Sequence, residues 1–255
     1  FQNSTQNLHG PILVFKLLLK IFPEIISKNV EIIVSFIFIV LITPVPDQAD
    51  DAFDFLFMLI KENPKIVNDE IQTTIFSCLK TQITSSNKTS ILFKYFNKFI
   101  AIIPHESIPK SIIVSTMSQI IVDKCYSDLY DNAFDVLVKL MHLFPDLTLP
   151  ETIFSKVIPC YGFIKALKLQ LNYLSNLKSE LVSYYKRGLE ENASKETICF
   201  SIYIVKKFKS FLFSDMSKVF NEISSFEFHP DDSIRLLLAA TLKVFLDVEA
   251  TKELI

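Results

Sequence analysis

Ala52-Phe53-Asp54-Phe55-Leu56-Phe57-Met58-Leu59-Ile60-Lys61-Glu62-Asn63-Pro64 is answered 81 residues later by Ala133-Phe134-Asp135-Val136-Leu137-Val138-Lys139-Leu140-Met141-His142-Leu143-Phe144-Pro145. Both stretches open on Ala-Phe-Asp and close on proline. Two further prolines fall on the same beat, so that Pro23, Pro64, Pro104 and Pro145 are separated by 41, 40 and 41 residues. A fixed period near 40 residues marks an array of helical hairpins.

The apolar positions keep the same beat. Nine and eight residues before each proline stand Val14 and Phe15, Phe55 and Leu56, Tyr95 and Phe96, Val136 and Leu137. Five and four before stand Leu18 and Leu19, Leu59 and Ile60, Phe99 and Ile100, Leu140 and Met141. One before stand Phe22, Ile103 and Phe144, with Asn63 breaking the column. These offsets trace one face of an α-helix.

A second helix is expected after each proline. Ile66, Val67, Ile71, Ile75, Leu79 and Ile83 recur at helical spacing, as do Ile108, Ile112, Ile113, Met117, Ile120 and Ile121. Pro109 and Pro150 each fall five residues after a beat proline, where Lys28 and Asp69 stand in the other repeats. Proline is tolerated at a first helical position because its missing N–H would be unpaired there anyway. Asn68 and Asp69 suit a helix start. The expected hairpins span 11–43, 50–84, 89–124, 130–161, 163–191 and 194–227, with a partial one at 231–255. Linkers are expected at 43–47, 84–89 and 123–131. Beyond Gly162 the proline marker lapses, and helices are expected at 163–178, 179–191, 194–213, 216–227 and 233–247. The fold expected is all-α: a right-handed α-solenoid of about six stacked antiparallel hairpins, one array over 1–255 and part of a longer polypeptide.

Composition narrows the function classes. Half of the 255 residues are hydrophobic and only 3 are glycine, so Gly10, Gly162 and Gly188 stand alone and no phosphate-cradling loop is present. Each is expected to punctuate a turn. The 24 phenylalanines fall at helical spacing and are expected to fill the core. Net charge is −2, and no block of basic residues marks a nucleic-acid footprint. The densest cluster, Lys206, Lys207 and Lys209, is expected to be solvated. Cys78, Cys125, Cys160 and Cys199 form no Cys-x-x-Cys pair and are expected to be buried free thiols, which suits a reducing, intracellular compartment. The triplets beginning at Asn3, Asn87 and Asn192 are expected to be unmodified. The most apolar run, Val30 to Ile42, is 13 residues long, short of the roughly 20 needed to span a bilayer. Membrane insertion is not expected, and this run is expected to be a buried central helix. His9, His105, His142 and His229 are scattered without metal-ligand spacing. No catalytic, cofactor or metal residues are expected, and the chain is not expected to be an enzyme.

The stretch 228–242, Phe-His-Pro-Asp-Asp-Ser-Ile-Arg-Leu-Leu-Leu-Ala-Ala-Thr-Leu, resembles the HEAT-repeat motif. Ile234-Arg235 matches its branched-aliphatic and arginine pair, Ala239 and Ala240 its small positions, and Leu242 its leucine. The resemblance implies that Arg235 and a turn aspartate, Asp231 or Asp232, tie adjacent repeats together. The first four hairpins lack this arginine. Residues 194–246 further resemble a karyopherin-β (importin/exportin) repeat pair: a helix ending Lys206-Lys207-Phe208, an amphipathic helix Met216 to Phe226, then Phe228-His229. The segment from Pro46 to Leu56, with Asn63-Pro64, is similar to the hairpins of such receptors. That resemblance implies a nuclear transport receptor binding cargo and the GTP-bound GTPase Ran, in cytoplasm and nucleus. The alternative function is a structural or adaptor subunit of a cytoskeletal, coat, chromatin or signalling assembly.

Overall fold

A computed structural model describes residues 9–42, 46–85, 89–122 and 129–252. The expected linkers, the Asn3 and Asn87 triplets and Cys125 lie wholly or partly outside them. All regular structure among the described residues is helical. The chain divides into two compact units, Phe1–Pro145 and Asp146–Ile255.

The first unit contains α1 (His9–Ile21), α2 (Pro23–Lys28), α3 (Val30–Ile42), α4 (Pro46–Glu62), α5 (Asp69–Ser85), α6 (Thr89–Ile102), α7 (Lys110–Val122) and α8 (Tyr130–Leu143). Four of these, α1, α4, α6 and α8, end two residues before a beat proline. The cause is local. Proline crowds the residue before it out of the α region, and Phe22, Asn63 and Phe144 take φ of −134°, −138° and −130°. Each residue before a beat proline still closes one last helical bond. The N–H of Phe22 donates to the carbonyl of Leu18, Asn63 to Leu59, Ile103 to Phe99 and Phe144 to Leu140, at 2.7–3.0 Å.

A helix that always stops at the same residue always turns the same face. Helix α4 contacts α1, α6 contacts α4, and α8 contacts α6; α5 likewise contacts α3, and α7 contacts α5. Burial follows the beat residue by residue through α4, α6 and α8. It adds a column that the apolar counting missed: Phe53, Phe93 and Phe134, eleven residues before their prolines, are all buried. Phe53 meets the rings of Tyr95 and Phe99 on the next helix at 5.4 and 6.3 Å, and Phe55 stacks on Phe15 at 6.1 Å.

Helix α1 departs from the pattern. Val14 is 55% exposed, whereas its equivalents Phe55, Tyr95 and Val136 are buried. Those three lie on the face turned to the preceding helix. Helix α3 is not buried all round as its composition predicts. Ile33, Val34, Ile37, Val40 and Leu41 are buried, but Ile32, Ile39 and Ile42 are exposed.

The second unit contains α9 (Tyr161–Leu169), α10 (Leu174–Gly188), α11 (Lys195–Phe208), α12 (Met216–Ser224) and α13 (Asp232–Lys252). The helix expected after Pro150 is only a 3-10 turn, Glu151–Phe154. Pro159 follows too soon: the residue before it is pushed from the α region, and the run left between the prolines is too short to nucleate a stable helix. Side chains from α10 and from the break before it supply the missing backbone partners. Glu180 accepts from the Val157 N–H at 3.0 Å, and the Gln170 side chain accepts from the Leu149 N–H at 3.2 Å and donates to the Leu147 carbonyl at 2.9 Å. Gln170 lies at the break between α9 and α10, so the helix expected over 163–178 ends early, at Leu169.

Gly188 is not a loop glycine. It ends α10 against α11, where an added Cβ would lie 1.9 Å from Ser201 Oγ and 2.5 Å from its Cβ. Three substitutions test these contacts. Phe55→Ala is expected to cost about 3–5 kcal/mol and Val14→Ala at the equivalent position no more than about 0.5 kcal/mol. Urea unfolding reads both, and equal costs would contradict the stacking assigned to this face. Gly188→Ala is expected to cost about 1–3 kcal/mol through overpacking; a neutral result in thermal melts would show that α10 and α11 separate freely.

Candidate functional site

The four beat prolines sit at inter-helix turns of the first unit and do not converge. Asp231, Asp232 and Arg235 do come together in the second unit. The Lys195 ammonium, at the start of α11, lies 2.8 Å from the Asp231 carboxylate. Asp231 also accepts from the backbone N–H of Ser233 at 2.9 Å and from the Ser233 hydroxyl. These partners, Lys195 foremost and then Ser233, hold the Asp231 carboxyl well below the usual carboxylate range, and Asp231 in turn raises the Lys195 ammonium. Arg235 behaves differently. Its guanidinium donates to the His229 carbonyl at 2.5 Å and pairs with Asp232, one turn earlier on its own helix. The link between α11 and α13 therefore runs through Asp231, and Arg235 braces the turn before α13. Beneath it Ile198, Cys199, Ile202 and Ile234 form a buried cluster.

A cavity of about 230 Å³ lies beside α10 and α12, lined by Val182, Tyr185, Leu212, Phe213, Val219 and Glu222 among others. Within it the Tyr185 hydroxyl donates to the Glu222 carboxylate at 2.5 Å. Among the described residues no group of three His, Cys, Asp or Glu side chains could hold a metal ion. Of the described cysteines, Cys78 and Cys199 are buried and Cys160 is half-buried, all as free thiols. Burial pushes the Cys78 thiol up to about 11. No described helix is long and apolar enough to cross a membrane.

A concentration of positive charge lies between α9 and α11. Tyr161, Lys165 and Lys168 recur at helical spacing on α9, and Cys199, Tyr203 and Lys207 on α11. The rings of Tyr161 and Tyr203 meet edge to face at 4.7 Å, which sets the two stripes side by side. The Lys207 ammonium lies 5.4 Å from the centre of the Tyr203 ring. Sequence reading grouped Lys206 and Lys207 with Lys209, by adjacency. Lys209 instead reaches to α13, donating to the Val244 carbonyl at 3.3 Å and lying 5.3 Å from the Phe245 ring. The signal available in the sequence was the i, i+4, i+7 spacing of Tyr161, Lys165 and Lys168.

Compared with models of known families, with curated proteins and with solved structures, the chain gives no match.

Two phenols carry a pH signature. Burial is the main cause that raises both. The carboxylates of Asp54, Asp50 and Asp51 add to it at Tyr95, and the hydrogen bond to Glu222 adds to it at Tyr185. An unfolded tyrosine ionises near 10, so the folded chain holds these protons longer. The stability they contribute is whole below about pH 10 and is lost as pH rises beyond it. In an alkaline absorbance titration both are expected to ionise only as the chain unfolds. A Tyr95→Phe/Tyr185→Phe variant should lose that late step, and an unchanged late step would contradict the assignment.

Proposed function

We propose that this chain is a helical-repeat scaffold of the HEAT/armadillo type, a right-handed solenoid of about six hairpins that binds other proteins and carries no catalytic site. The observation that carries this reading is the shared register of α4, α6 and α8: three helices ended by the same X-Pro device, with the same residues buried at the same offsets. Hairpins that contact only their neighbours form extended surfaces along which partners lie. The turn at 229–235, where an aspartate links two helices and an arginine braces the turn, supports the HEAT-type reading. Within that class we favour a nuclear transport receptor of the karyopherin-β type, moving between cytoplasm and nucleus and binding cargo together with Ran-GTP. The helix ending Lys206-Lys207-Phe208 and the Phe228-His229 turn before α13 are the features that support it.

Capture on GTP-locked Ran tests the finer reading. Retention with the GTP-locked form and loss with the GDP form are expected. Retention insensitive to nucleotide, or stoichiometric co-purification in an assembly without Ran, would instead assign the chain to the structural or adaptor subunits.

A further inference from the structure

Two lysines that stand between neighbouring helices of the first unit, Lys16 and Lys98, are neutralised there. The Lys16 ammonium on α1 lies 2.9 Å from Asp51 and 3.4 Å from Asp54 on α4, and Lys98 on α6 lies 3.5 Å from the same Asp54. The strip between α9 and α11 is also built from one stripe on each of two neighbouring helices, and three of its lysines differ from Lys16 and Lys98 in having no paired acid. Among the described residues no carboxylate forms an ion pair with Lys168, Lys206 or Lys207. Lys207 is half-buried beside Tyr203. Burial and then the neighbouring charges of Lys168, Lys206 and Lys165 make its ammonium easier to deprotonate than usual. Like charges held together, with Lys206 and Lys207 only partly exposed, cost free energy that an incoming carboxylate would recover.

Apolar surface borders the charge. Tyr161, Leu169 and Leu171 are exposed, and Tyr161 is fixed against Tyr203. A strip of lysines flanked by exposed tyrosine and leucine suits a chain segment that alternates acidic and apolar side chains.

Resting on the protein-binding reading above, we propose that the strip between α9 and α11 docks an acidic peptide segment of a partner protein. The segment's carboxylates supply the counter-charge for Lys168, Lys206 and Lys207, and its apolar side chains rest on Tyr161 and Leu169. A nucleic acid is the poorer occupant. The strip is short, and the chain as a whole is acidic, with a net charge of −2, whereas a phosphate backbone asks for a continued basic track. The described arginines, the side chain suited to bidentate phosphate contact, are engaged elsewhere: Arg187 lies 3.8 Å over the Tyr184 ring and Arg235 pairs with Asp232.

Fluorescence anisotropy of a fluorescein-labelled peptide of glutamate with interspersed phenylalanine, titrated with the whole chain, tests this. Saturable binding that weakens with added salt is expected. Replacing Lys168, Lys206 and Lys207 together by glutamate should weaken it about tenfold or more. Replacing the same three by arginine, which keeps the charge, should leave it within about twofold. A control with glutamate at Lys156, Lys178 and Lys243, exposed lysines elsewhere in the same unit, should bind as the parent does, and circular dichroism checks that every variant is folded. No binding, equal weakening in the control, or tighter binding of a single-stranded oligonucleotide lost in the same triple variant would each overturn the proposal. Nucleotide-dependent capture on Ran that survives in the glutamate variant would separate failure of the strip from failure of the scaffold reading.

Discussion

An X-Pro bond at the end of a helix is the constraint on which the first unit depends. It removes one donor and displaces one residue from the α region, and both effects fall at a fixed place. Because a helix turns about 100° per residue, moving its end by one residue relative to the following turn would swing the buried face well away from its neighbour. Constant placement of the proline therefore fixes which face α1, α4, α6 and α8 present. The buried phenylalanine eleven residues upstream and the apolar pairs nine and eight, five and four upstream are consequences of that placement.

Polar ties follow the same geometry. Gln82 donates to the Leu41 carbonyl at 2.7 Å, Tyr95 to the Asp50 carbonyl at 2.9 Å, and Lys139 to the Asn97 carbonyl at 2.8 Å. Each joins a helix to its counterpart one repeat earlier, through a side-chain donor and a backbone carbonyl. Partly buried donors left without acceptors would cost about 1–3 kcal/mol apiece. These ties therefore specify which helix sits beside which, even where their net contribution is small.

The beat prolines, the facing columns and the helical class could be read from the chain because they rest on interactions local in sequence. The limits of that reading are also physical. The helix expected after Pro150 fails because a second proline, Pro159, caps the available length, and the Glu180 and Gln170 side chains that replace its hydrogen bonds lie on α10 and at the break before it. Gly188 reads as a turn until Ser201 is seen against it. The lysine strip was hidden because adjacency grouped Lys209 with Lys206 and Lys207, whereas Lys209 leaves α11 at φ 39° and turns toward α13. Which lysines share a face is decided by where the helix ends, and no local signal marked that end.

The unequal exposure of equivalent positions separates two causes of apolarity. Position nine before the proline is Val14, Phe55, Tyr95 and Val136, apolar or aromatic in all four helices but covered in only three. On α1 the pattern continues through Leu17 and Ile21, also exposed, and the three fall at i, i+3 and i+7 on one stripe. A face of that kind has no use in a freely solvated helix, where each such side chain forgoes roughly 1.5–3 kcal/mol of burial. The apolarity of this position follows the period of the sequence, whereas its burial follows contact with an earlier helix, which α4, α6 and α8 find in α1, α4 and α6.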